Sequence, residues 1–374
     1  MSEWTYRGRL SGAYNHPDIV PTSRNFTTYI KHATHNPPSE NRSIPMTSIK
    51  DVAAHAGVAI STVSKVLKDY PNISDETRSK VQKAIKELNY IPNSIASALS
   101  SKQFGRVALV LNLERQTQAI DQIFMQYLAG ALDTAKERGM EVVTIFTTML
   151  EGMSVEEVTR YFKSQSIAGV IIYGMSKEDK VMHQLVQEQQ FAFVVVDAPI
   201  VNEKTSSVSI DHEQAQYDVA KKTIQDDNCK SVLYIAGRKD GYVTEQRIRG
   251  MKRLVEELGL TMLIRQGDFS ELKARELAFK YAKNKDVIVC ASDLMAIGAM
   301  NALIEMDIFR PVCGYDGITL MGYVGKQMNT IRQDFYAISG RAVEEMQRIM
   351  NGERGREIVM PHSIVKMYYK DIIC

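Results

Sequence analysis

The chain has 374 residues, 44% of them hydrophobic and 24% charged, which predicts two or three domains with packed cores. Its longest apolar runs, such as Val107–Leu111 and Phe191–Val196, are too short to cross a bilayer. Residues 1–10 carry charge without an apolar stretch, so we expect no secretory signal. The four cysteines are widely spaced without a CxxC pair, which argues against a disulfide framework or zinc knuckle and favours a reducing cytoplasm.

The net charge of +2 is unevenly distributed. Residues 46–105 hold eight Lys or Arg against five acidic residues, and residues 1–45 hold five against three. The remaining residues, 106–374, therefore have a net charge of −3. A small basic segment joined to a larger, slightly acidic one is typical of a nucleic-acid reader carried by a sensor, although solvated surfaces often show the same excess.

The N-terminal segment, residues 1–45, contains five prolines and no sustained helical or strand period. The only tryptophan, Trp4, lies in it. We therefore expect a disordered extension, with Met46 as the working start of the ordered chain.

Three short helices are predicted next, over residues 46–92. Ser48 begins a capping-box pattern, and Gly57 ends the first helix. A second helix is predicted over Ser61–Leu67, and Ser74 opens a third. Two helices joined by a tight glycine turn and backed by a third are the layout of a helix-turn-helix domain. Pro92 ends the third helix, and Asn93 can cap a further short helix before a linker that reaches residue 105.

From residue 106 onward, apolar strands alternate with amphipathic helices, which predicts parallel sheets covered on both faces. About nine strands are more than one compact sheet usually holds, so we expect two α/β subdomains. The predicted strands are Val107–Leu111, Glu141–Phe146, Ala168–Tyr173, Phe191–Val196, Val208–Ile210, Ser231–Ile235, Met262–Arg265, Val287–Cys290 and Val312–Tyr315. The predicted helices are Asp121–Arg138, Val155–Gln165, Asp179–Gln189, Glu213–Gln225, Glu245–Leu258, Leu272–Lys283, Leu294–Met306 and Gly340–Asn351.

The helical segment resembles the DNA-binding headpiece of the lactose-repressor (LacI/GalR) family without gaps over Ile49–Leu99. The matching motifs are Ile49–Val58, Ser61–Leu67, Thr77–Val81 and Glu87–Asn93. A weaker similarity continues to the C-terminus through Arg247–Gly250, Ala291–Gly298, Gly314–Gly317 and Thr330–Phe335.

This resemblance implies a cytoplasmic, homodimeric transcriptional regulator, expected to be a repressor that binds double-stranded operator DNA. A sugar or sugar phosphate would control it through a periplasmic-binding-protein-like sensor of two parallel-sheet subdomains, attached to an all-α helix-turn-helix headpiece. The sensor would span 106–374, with subdomains at about 106–208 plus 335–358 and 209–334 plus 359–374. No cofactor, metal or membrane is implied.

The second helix is the candidate recognition helix. Its outward positions carry short hydroxyls and lysines, which suit base edges and phosphates. They are Ser61, Thr62, Ser64, Lys65 and Lys68. By the resemblance, Ile60 and Ser61 occupy the positions that select the operator, where Ile60 could pack on a thymine methyl. Without the matched frame, the same pattern would describe an ordinary amphipathic helix.

Residues 93–105 resemble the hinge helix and linker of the family. Asn93 would cap this helix, and Leu99 would be the wedge that inserts between base steps in the minor groove. The alternative is a plain linker with an exposed leucine.

The sensor's candidate ligand residues are mostly polar side chains near the C-terminal ends of predicted strands, where open α/β sheets place their ligands. Arg247, Asp293 and Asp316 offer charge-assisted hydrogen bonds suited to a polyhydroxy ligand. By resemblance, Asp197 and Phe335 join them. Phe335 and Phe124 could offer an apolar face to a sugar ring. The alternatives are a helix cap or surface ion pair for each charged residue and core packing for each phenylalanine.

Two other classes of protein are weighed against a regulator. A solute-binding protein for transport is disfavoured by the missing signal peptide and by the helical segment over residues 48–88. An enzyme on a Rossmann-like fold is disfavoured because there is no GxGxxG, P-loop, HExxH or GxSxG motif. The seven histidines show no metal-ligand spacing, and His212 is expected to begin a surface helix.

Overall fold

The computed structural model describes residues 48–67, 70, 73–88, 90, 105–112, 120–227, 229–366 and 368, without the side chains of 120, 121, 226 and 227. The predicted extension over 1–45 lies outside these ranges, as do Lys68 and the hinge residues Asn93 and Leu99. The chain divides into two compact units, residues 1–97 and 98–374.

The described part of the N-terminal unit contains three helices: α1 (Ile49–Ala56), α2 (Ile60–Leu67) and α3 (Asp75–Glu87). The capping box is confirmed, because the backbone N–H of Asp51 donates to Ser48 Oγ and the Ser48 N–H donates to the Asp51 carboxylate. Gly57 ends α1 in the left-handed region that glycine tolerates, with φ 64°. The buried side chains that join the three helices are Val52, Ala53, Val63, Val66, Val81 and Ala84. These helices confirm the predicted helix-turn-helix layout.

The C-terminal unit contains two six-stranded sheets within the described ranges. The first sheet has the order β11-β5-β4-β3-β1-β2, and the second has the order β12-β10-β9-β8-β6-β7. The strands are β1 (Arg106–Leu111), β2 (Val142–Phe146), β3 (Ile167–Tyr173), β4 (Ala192–Val196), β5 (Thr205–Ile210), β6 (Ser231–Ala236), β7 (Thr261–Gln266), β8 (Val287–Cys290), β9 (Val312–Cys313), β10 (Asn329–Arg332), β11 (Glu357–Met360) and β12 (Ser363–Lys366).

Eight helices of the described ranges cover these sheets. They are α4 (Ile120–Glu137), α5 (Val155–Ser164), α6 (Lys180–Glu188), α7 (His212–Asp227), α8 (Tyr242–Leu258), α9 (Glu271–Tyr281), α10 (Asp293–Glu305) and α11 (Phe335–Met350). Helices α4–α6 and α11 pack with the first sheet, and together they form what we call the first lobe. Helices α7–α10 pack with the second sheet and form the second lobe. Two parallel-sheet lobes confirm the predicted fold class.

The prediction of nine strands missed β10, β11 and β12, which have four residues each. β11 and β12 lie at the edges of their sheets and are partly exposed, so they lack the apolar run that marks a buried strand. β12 also pairs antiparallel with β10, unlike the parallel strands that the alternating pattern predicts. Helix α11 begins five residues earlier than predicted, because the Asp334 side chain caps it by accepting from the Ala337 N–H.

The described chain passes between the lobes three times, between β5 and α7, β10 and α11, and β11 and β12. The parallel strands of both sheets therefore direct the loops at their C-terminal ends into one cleft between the lobes.

Candidate ligand cleft and DNA-binding face

The cleft between the lobes encloses a cavity of about 300 Å³. Five of the six predicted ligand residues line it: Phe124, Asp197, Arg247, Asp316 and Phe335. The structure therefore brings together side chains from α4, from the loops after β4 and β9, and from α8 and α11. The further lining residues are Leu111, Asn112, Ile123, Tyr127, Tyr173, Gly174, Met175, Ser176, Arg238, Asp240, Gly241, Tyr242, Val243, Phe269, Ser292, Leu294, Ile318 and Gln333.

Asp197 follows β4 in the left-handed region, with φ 64°, which directs its carboxylate toward neighbouring donors. Its Oδ2 accepts from the Tyr127 hydroxyl at 3.3 Å, and its Oδ1 lies 3.0 Å from His212 Nε2. Burial raises the pKa of Asp197, but His212 and Arg247 outweigh burial and leave the pKa below its ordinary value. Asp197 is therefore an anion at neutral pH.

His212 begins α7, as predicted, but the prediction that it lies on the surface is wrong, because it is only 1% exposed. The sequence places it just after a strand, β5, and directly after that strand the chain passes from the first lobe into the second. Burial lowers the pKa of His212, so the ring is neutral and its single proton is on Nε2, facing the Asp197 carboxylate. Nδ1 then accepts from the Tyr315 hydroxyl at 2.9 Å within the second lobe, while the bond from Nε2 to Asp197 links the second lobe to the first.

Arg247 lies on α8 and is 4% exposed. Its Nη1 donates to the Ala291 carbonyl at 2.5 Å, and its guanidinium lies 3.7 Å from the centre of the Tyr315 ring. Its Nε has no hydrogen-bond partner among the described residues. Buried donors are rarely left unpaired, so this N–H is a candidate for a ligand contact.

Asp316 and Gln333 form a second polar pair at the cleft. Gln333 Nε2 donates to Asp316 Oδ1 at 3.1 Å, while Gln333 Oε1 is buried and has no partner within the described ranges. Burial raises the pKa of Asp316 well above its ordinary value, despite the opposing effect of Arg247. The structure therefore provides an uncharged acid and an unpaired acceptor in the same wall.

Asp293 does not line the cavity, unlike the other predicted ligand residues. It begins α10 and is fully buried, and its Oδ2 accepts from the N–H groups of Gly317 and Ile318 at 2.7 and 2.8 Å. Its Oδ1 accepts from the Thr330 hydroxyl at 2.5 Å. Asp293 thus holds the loop that follows β9, and through that loop it positions Asp316.

Aromatic rings form the apolar walls of the cleft. Phe335 meets Tyr127 edge-on, with ring centres 5.2 Å apart, and Phe124 lies parallel to Phe146 at 6.1 Å. Phe269 lines the cavity with φ 60°, a strained backbone conformation for a bulky residue. Gly237 makes room for that ring, because a Cβ there would lie 2.1 Å from Phe269 Cζ.

Further polar contacts join the lobes beside the cleft. Ser176, after β3, donates its hydroxyl to Asp240 Oδ2 at 2.6 Å, and Asp240 follows β6 of the other lobe. Gln122 Oε1, on α4, accepts from the backbone N–H of Thr319 at 3.0 Å and from its hydroxyl at 2.9 Å. The described structure therefore has its lobes in contact.

Several lining residues were absent from the sequence prediction, although the sequence carries signals for some of them. Ser176 and Asp240 follow strands, the position expected for ligand loops. Gln333 lies inside the matched segment Thr330–Phe335, and Tyr127 is one helical turn from Phe124. Phe269 also follows a strand, β7, but its side chain is apolar, and its orientation depends on an unusual backbone angle that the sequence does not show.

The predicted DNA-binding residues that the structure describes lie on α2. Ile60, Ser61 and Lys65 are exposed, and Thr62 and Ser64 are half-buried. Ile60 is a large apolar residue with 44% of its surface exposed at the beginning of the helix. An exposed apolar side chain beside hydroxyl and lysine side chains fits contact with base edges and phosphates.

The described ranges contain neither a candidate metal centre nor a candidate membrane-spanning helix. No group of three or more His, Cys, Asp or Glu side chains there is arranged to hold a metal ion. None of the described helices has the length and apolar character needed to span a membrane.

Comparison with known proteins follows the same division of the chain. Residues 48–93 match the model of the bacterial regulatory proteins of the lacI family. Residues 108–366 match the model of periplasmic binding proteins and the sugar binding domain of the LacI family. The second match alone covers more than half of the chain.

Individual proteins agree with these models. The chain is 29% identical to the transcriptional regulator MalR of Streptococcus pneumoniae serotype 4, over 74% of this chain and 84% of that regulator. It shares the fold of a lac repressor dimer bound to operator and the anti-inducer ONPF, with TM-score 0.72 and 23% identity over 85% of this chain and 97% of that one. A complex of the regulator CelR with cellobiose aligns with TM-score 0.63 and 23% identity, over 85% and 98% of the two chains. The chain belongs to the LacI family of bacterial regulatory proteins and is a DNA-binding transcriptional regulator controlled by a small ligand.

Proposed function

We propose that the chain is a cytoplasmic, homodimeric repressor whose affinity for a double-stranded operator is set by a carbohydrate bound between the lobes. In this proposal residues 46–92 bind DNA and residues 93–105 form the hinge. The lobes, at about 106–208 plus 335–358 and 209–334 plus 359–374, bind the effector and dimerise.

The observation that carries the proposal is a pair of unpaired polar atoms in one cleft. Arg247 Nε is a buried donor and Gln333 Oε1 is a buried acceptor, and neither has a partner among the described residues. A hydroxyl group both donates and accepts, so neighbouring hydroxyls of a sugar suit both atoms. Buried polar groups left unpaired in a native protein call for such an explanation.

The walls around these atoms fit the same ligand class. Phe124, Phe269 and Phe335 supply apolar surface, while Asp197 and Asp316 supply carboxyl groups. Aromatic walls with a few placed polar groups are typical of small-molecule sites. Asp293 supports this site indirectly, by holding the loop that carries Asp316.

On the DNA side, we assign phosphate contacts to Lys65 and Lys68 and hydroxyl contacts to Ser61, Thr62 and Ser64. Ile60 would pack on a thymine methyl. A hinge helix capped by Asn93 would insert Leu99 into the minor groove of a kinked operator. A positively charged, hydroxyl-bearing helix at the DNA is the arrangement that helix-turn-helix proteins use.

The relatives support the same assignment. The lac repressor structure is described as a dimer on its operator with a small ligand, and the CelR structure contains cellobiose. Both structures share this fold, so a dimer, an operator and a carbohydrate are the partners that we propose for this chain.

Ligand control requires that the effector bind two lobe arrangements with different affinity. Closure around the effector would change how the two hinge segments of a dimer are held. Coupling in such systems is about 1–3 kcal/mol, which alters operator affinity some 5–150-fold.

An electrophoretic mobility shift assay on a palindromic operator, with and without a panel of sugars, tests this function. The panel is first ranked by the thermal stabilisation that each sugar gives the full chain. We expect retarded operator complexes whose affinity changes with the stabilising sugar. Absence of any operator complex at low salt, over a library of palindromic sites, would contradict the proposal.

A further inference from the structure

Asp240 places a carboxylate at the edge of the cleft, in front of helix α8. Its Oδ2 accepts from the Ser176 hydroxyl at 2.6 Å and from Arg238 Nη2 at 3.2 Å, and Arg238 Nε lies 3.3 Å from Oδ1. The backbone carbonyl of Asp240 accepts from the Lys177 N–H at 2.9 Å. The carboxylate is therefore held in place by both lobes.

These partners are the ones that proteins use to hold phosphate. A guanidinium presents several N–H donors to an anion, a hydroxyl adds another, and a helix N-terminus favours negative charge. The next residue, Gly241, is the N-cap of α8 and provides no side-chain hydrogen bond to the helix. The Asp240 carboxylate therefore occupies the position in which a ligand phosphate would accept hydrogen bonds from these donors.

Asp240 is charged under the conditions in which the protein works. The hydrogen bond from Ser176, and then those from Arg238, lower the pKa of Asp240 below its ordinary value. A dianionic ligand group beside it would meet both a like charge and donors that are already engaged.

The other residues that line the cavity give little electrostatic stabilisation to a bound anion. The charged side chains of its described lining are two arginines and the carboxylates of Asp197 and Asp240, whereas Asp316 is uncharged. Arg247 Nη1 already donates to the Ala291 carbonyl, and its Nη2 lies 3.4 Å from His212 Nδ1, so both Nη atoms of this guanidinium are engaged within the protein. Asp197 adds a further negative charge.

We propose that Asp240 is a specificity-determining residue, which excludes phosphorylated and other anionic ligands so that the cleft takes an uncharged polyhydroxy compound. This inference rests on the proposed function, in which the cleft is the effector site. It narrows the effector from sugars in general to neutral sugars.

The first test uses inorganic phosphate as the probe and therefore needs no known effector. Phosphate affinity of the full chain is measured by thermal stabilisation against sodium chloride of matched ionic strength. We expect Asp240→Asn to bind phosphate at least about tenfold more tightly than the parent, because the like charge is removed. Adding Arg238→Gln to that variant should abolish the gain.

Two control variants test whether phosphate is excluded by the charge of Asp240 or by its contact with Ser176. Asp307→Asn removes one exposed carboxylate of the second lobe and should leave phosphate affinity at the parent value. Ser176→Ala removes the hydroxyl contact to Asp240 but keeps the Asp240 charge, so it should still exclude phosphate. Equal phosphate affinity in the parent and Asp240→Asn, or a gain that persists without Arg238, would overturn the inference.

The second test compares each sugar that stabilises the parent with its own phosphate ester. We expect the ester to bind the parent at least about tenfold more weakly, with the difference reduced in Asp240→Asn. A phosphate ester that binds the parent more tightly than its sugar would refute the role of Asp240 and leave the cleft as the effector site. If no sugar binds, the carbohydrate proposal fails, and the phosphate test still decides the role of Asp240.

Discussion

Two clusters of charged and polar side chains in the C-terminal unit, one around Glu345 and one around Arg247 and Gln333 in the cleft, differ in how completely their hydrogen bonds are satisfied. In the first lobe, the Glu345 side chain is 1% exposed and meets Arg356 at 2.6 Å, Arg348 at 2.8 Å and Arg341 at 3.3 Å. Both of its oxygens accept hydrogen bonds, and Ser206 lies 3.4 Å away. This cluster joins α11 to the segment that leads into β11.

In the cleft, by contrast, Arg247 and Gln333 each keep one buried polar atom without a described partner. A cluster that satisfies its own hydrogen bonds stabilises the fold, whereas one that does not is prepared for a further partner. The comparison therefore distinguishes polar groups that stabilise the fold from polar groups that are available to a ligand. The predictions below test this difference, from the largest expected effect to the smallest.

The largest effect is expected at the complete cluster. Glu345→Gln removes a buried charge opposite three arginines, so it should lower the free energy of unfolding by about 3 kcal/mol. The neighbouring Glu344→Gln is the control, because the 32% exposed Glu344 should contribute no more than about 1 kcal/mol. Thermal and chemical denaturation of both variants measures the difference, and equal losses would contradict a structural role for Glu345.

The same residue gives a pH dependence with a defined sign. Burial raises the pKa of Glu345, but Arg356 and Arg348 outweigh it and hold the pKa below its ordinary value of 4.5. A depressed carboxyl pKa stabilises the fold above that value, and the stability is lost as the pH falls through the lower folded pKa. The difference in unfolding free energy between parent and Glu345→Gln should shrink as the pH falls below about 4.5.

A smaller effect is expected at the two buried aspartates of the second lobe. Asp293→Asn should cost about 1–3 kcal/mol, because an amide offers one acceptor where the carboxylate accepts three hydrogen bonds. Asp316→Asn should change stability by less than about 1 kcal/mol, since an amide resembles the uncharged acid. If denaturation shows the reverse order, Asp293 does not hold the loop.

In the cleft cluster, a substitution should weaken sugar binding with little loss of stability. Gln333→Leu removes an acceptor that has no described partner, so the fold should tolerate it within about 1 kcal/mol. Affinity for the identified sugar should fall about tenfold, the loss of one to two hydrogen bonds. Calorimetric titration measures this, with Gln266→Leu as the control, because Gln266 Oε1 is also buried and unpaired but does not line the cleft. Equal affinity losses in both variants would place the effect elsewhere.

The smallest effect is expected on the DNA-binding unit. Lys65→Ala should reduce the slope of log K against log salt concentration by up to about one unit, with little change in sequence preference. Lys163→Ala, an exposed substitution in the first lobe, should leave the slope unchanged. A changed sequence preference with an unchanged slope would show that Lys65 contacts bases instead of phosphates.

The fold was predictable where local signals and tertiary packing agree. Ser48 caps the beginning of helix α1 and Gly57 ends it, as the capping pattern predicts. The buried strands were predictable because each is an apolar run in the sequence. The strand Glu357–Met360 carries no such run, because only one neighbour pairs with it at the sheet edge. Edge strands of this kind depend on tertiary pairing, which a local pattern does not contain.

The site was predictable as a set of strand-end residues, but the roles within it were not. Asp293 and Asp316 give the same sequence signal, yet one supports a loop and the other lines the cavity. His212 lies where the chain passes from the first lobe into the second after β5, and this position buries a residue that would otherwise begin a surface helix. The distances between the lobes decide which hydrogen-bond partner each polar atom has. The sequence therefore carried no signal for these pairings.

The central claim is that the incomplete cluster in the cleft senses the effector and controls operator binding. Operator affinity of the parent and of Arg247→Ala is measured in one titration series, with and without the identified sugar. The account predicts a 5–150-fold response in the parent and none in Arg247→Ala, with ligand-free operator binding nearly the same in both. An unchanged response in Arg247→Ala would contradict the account.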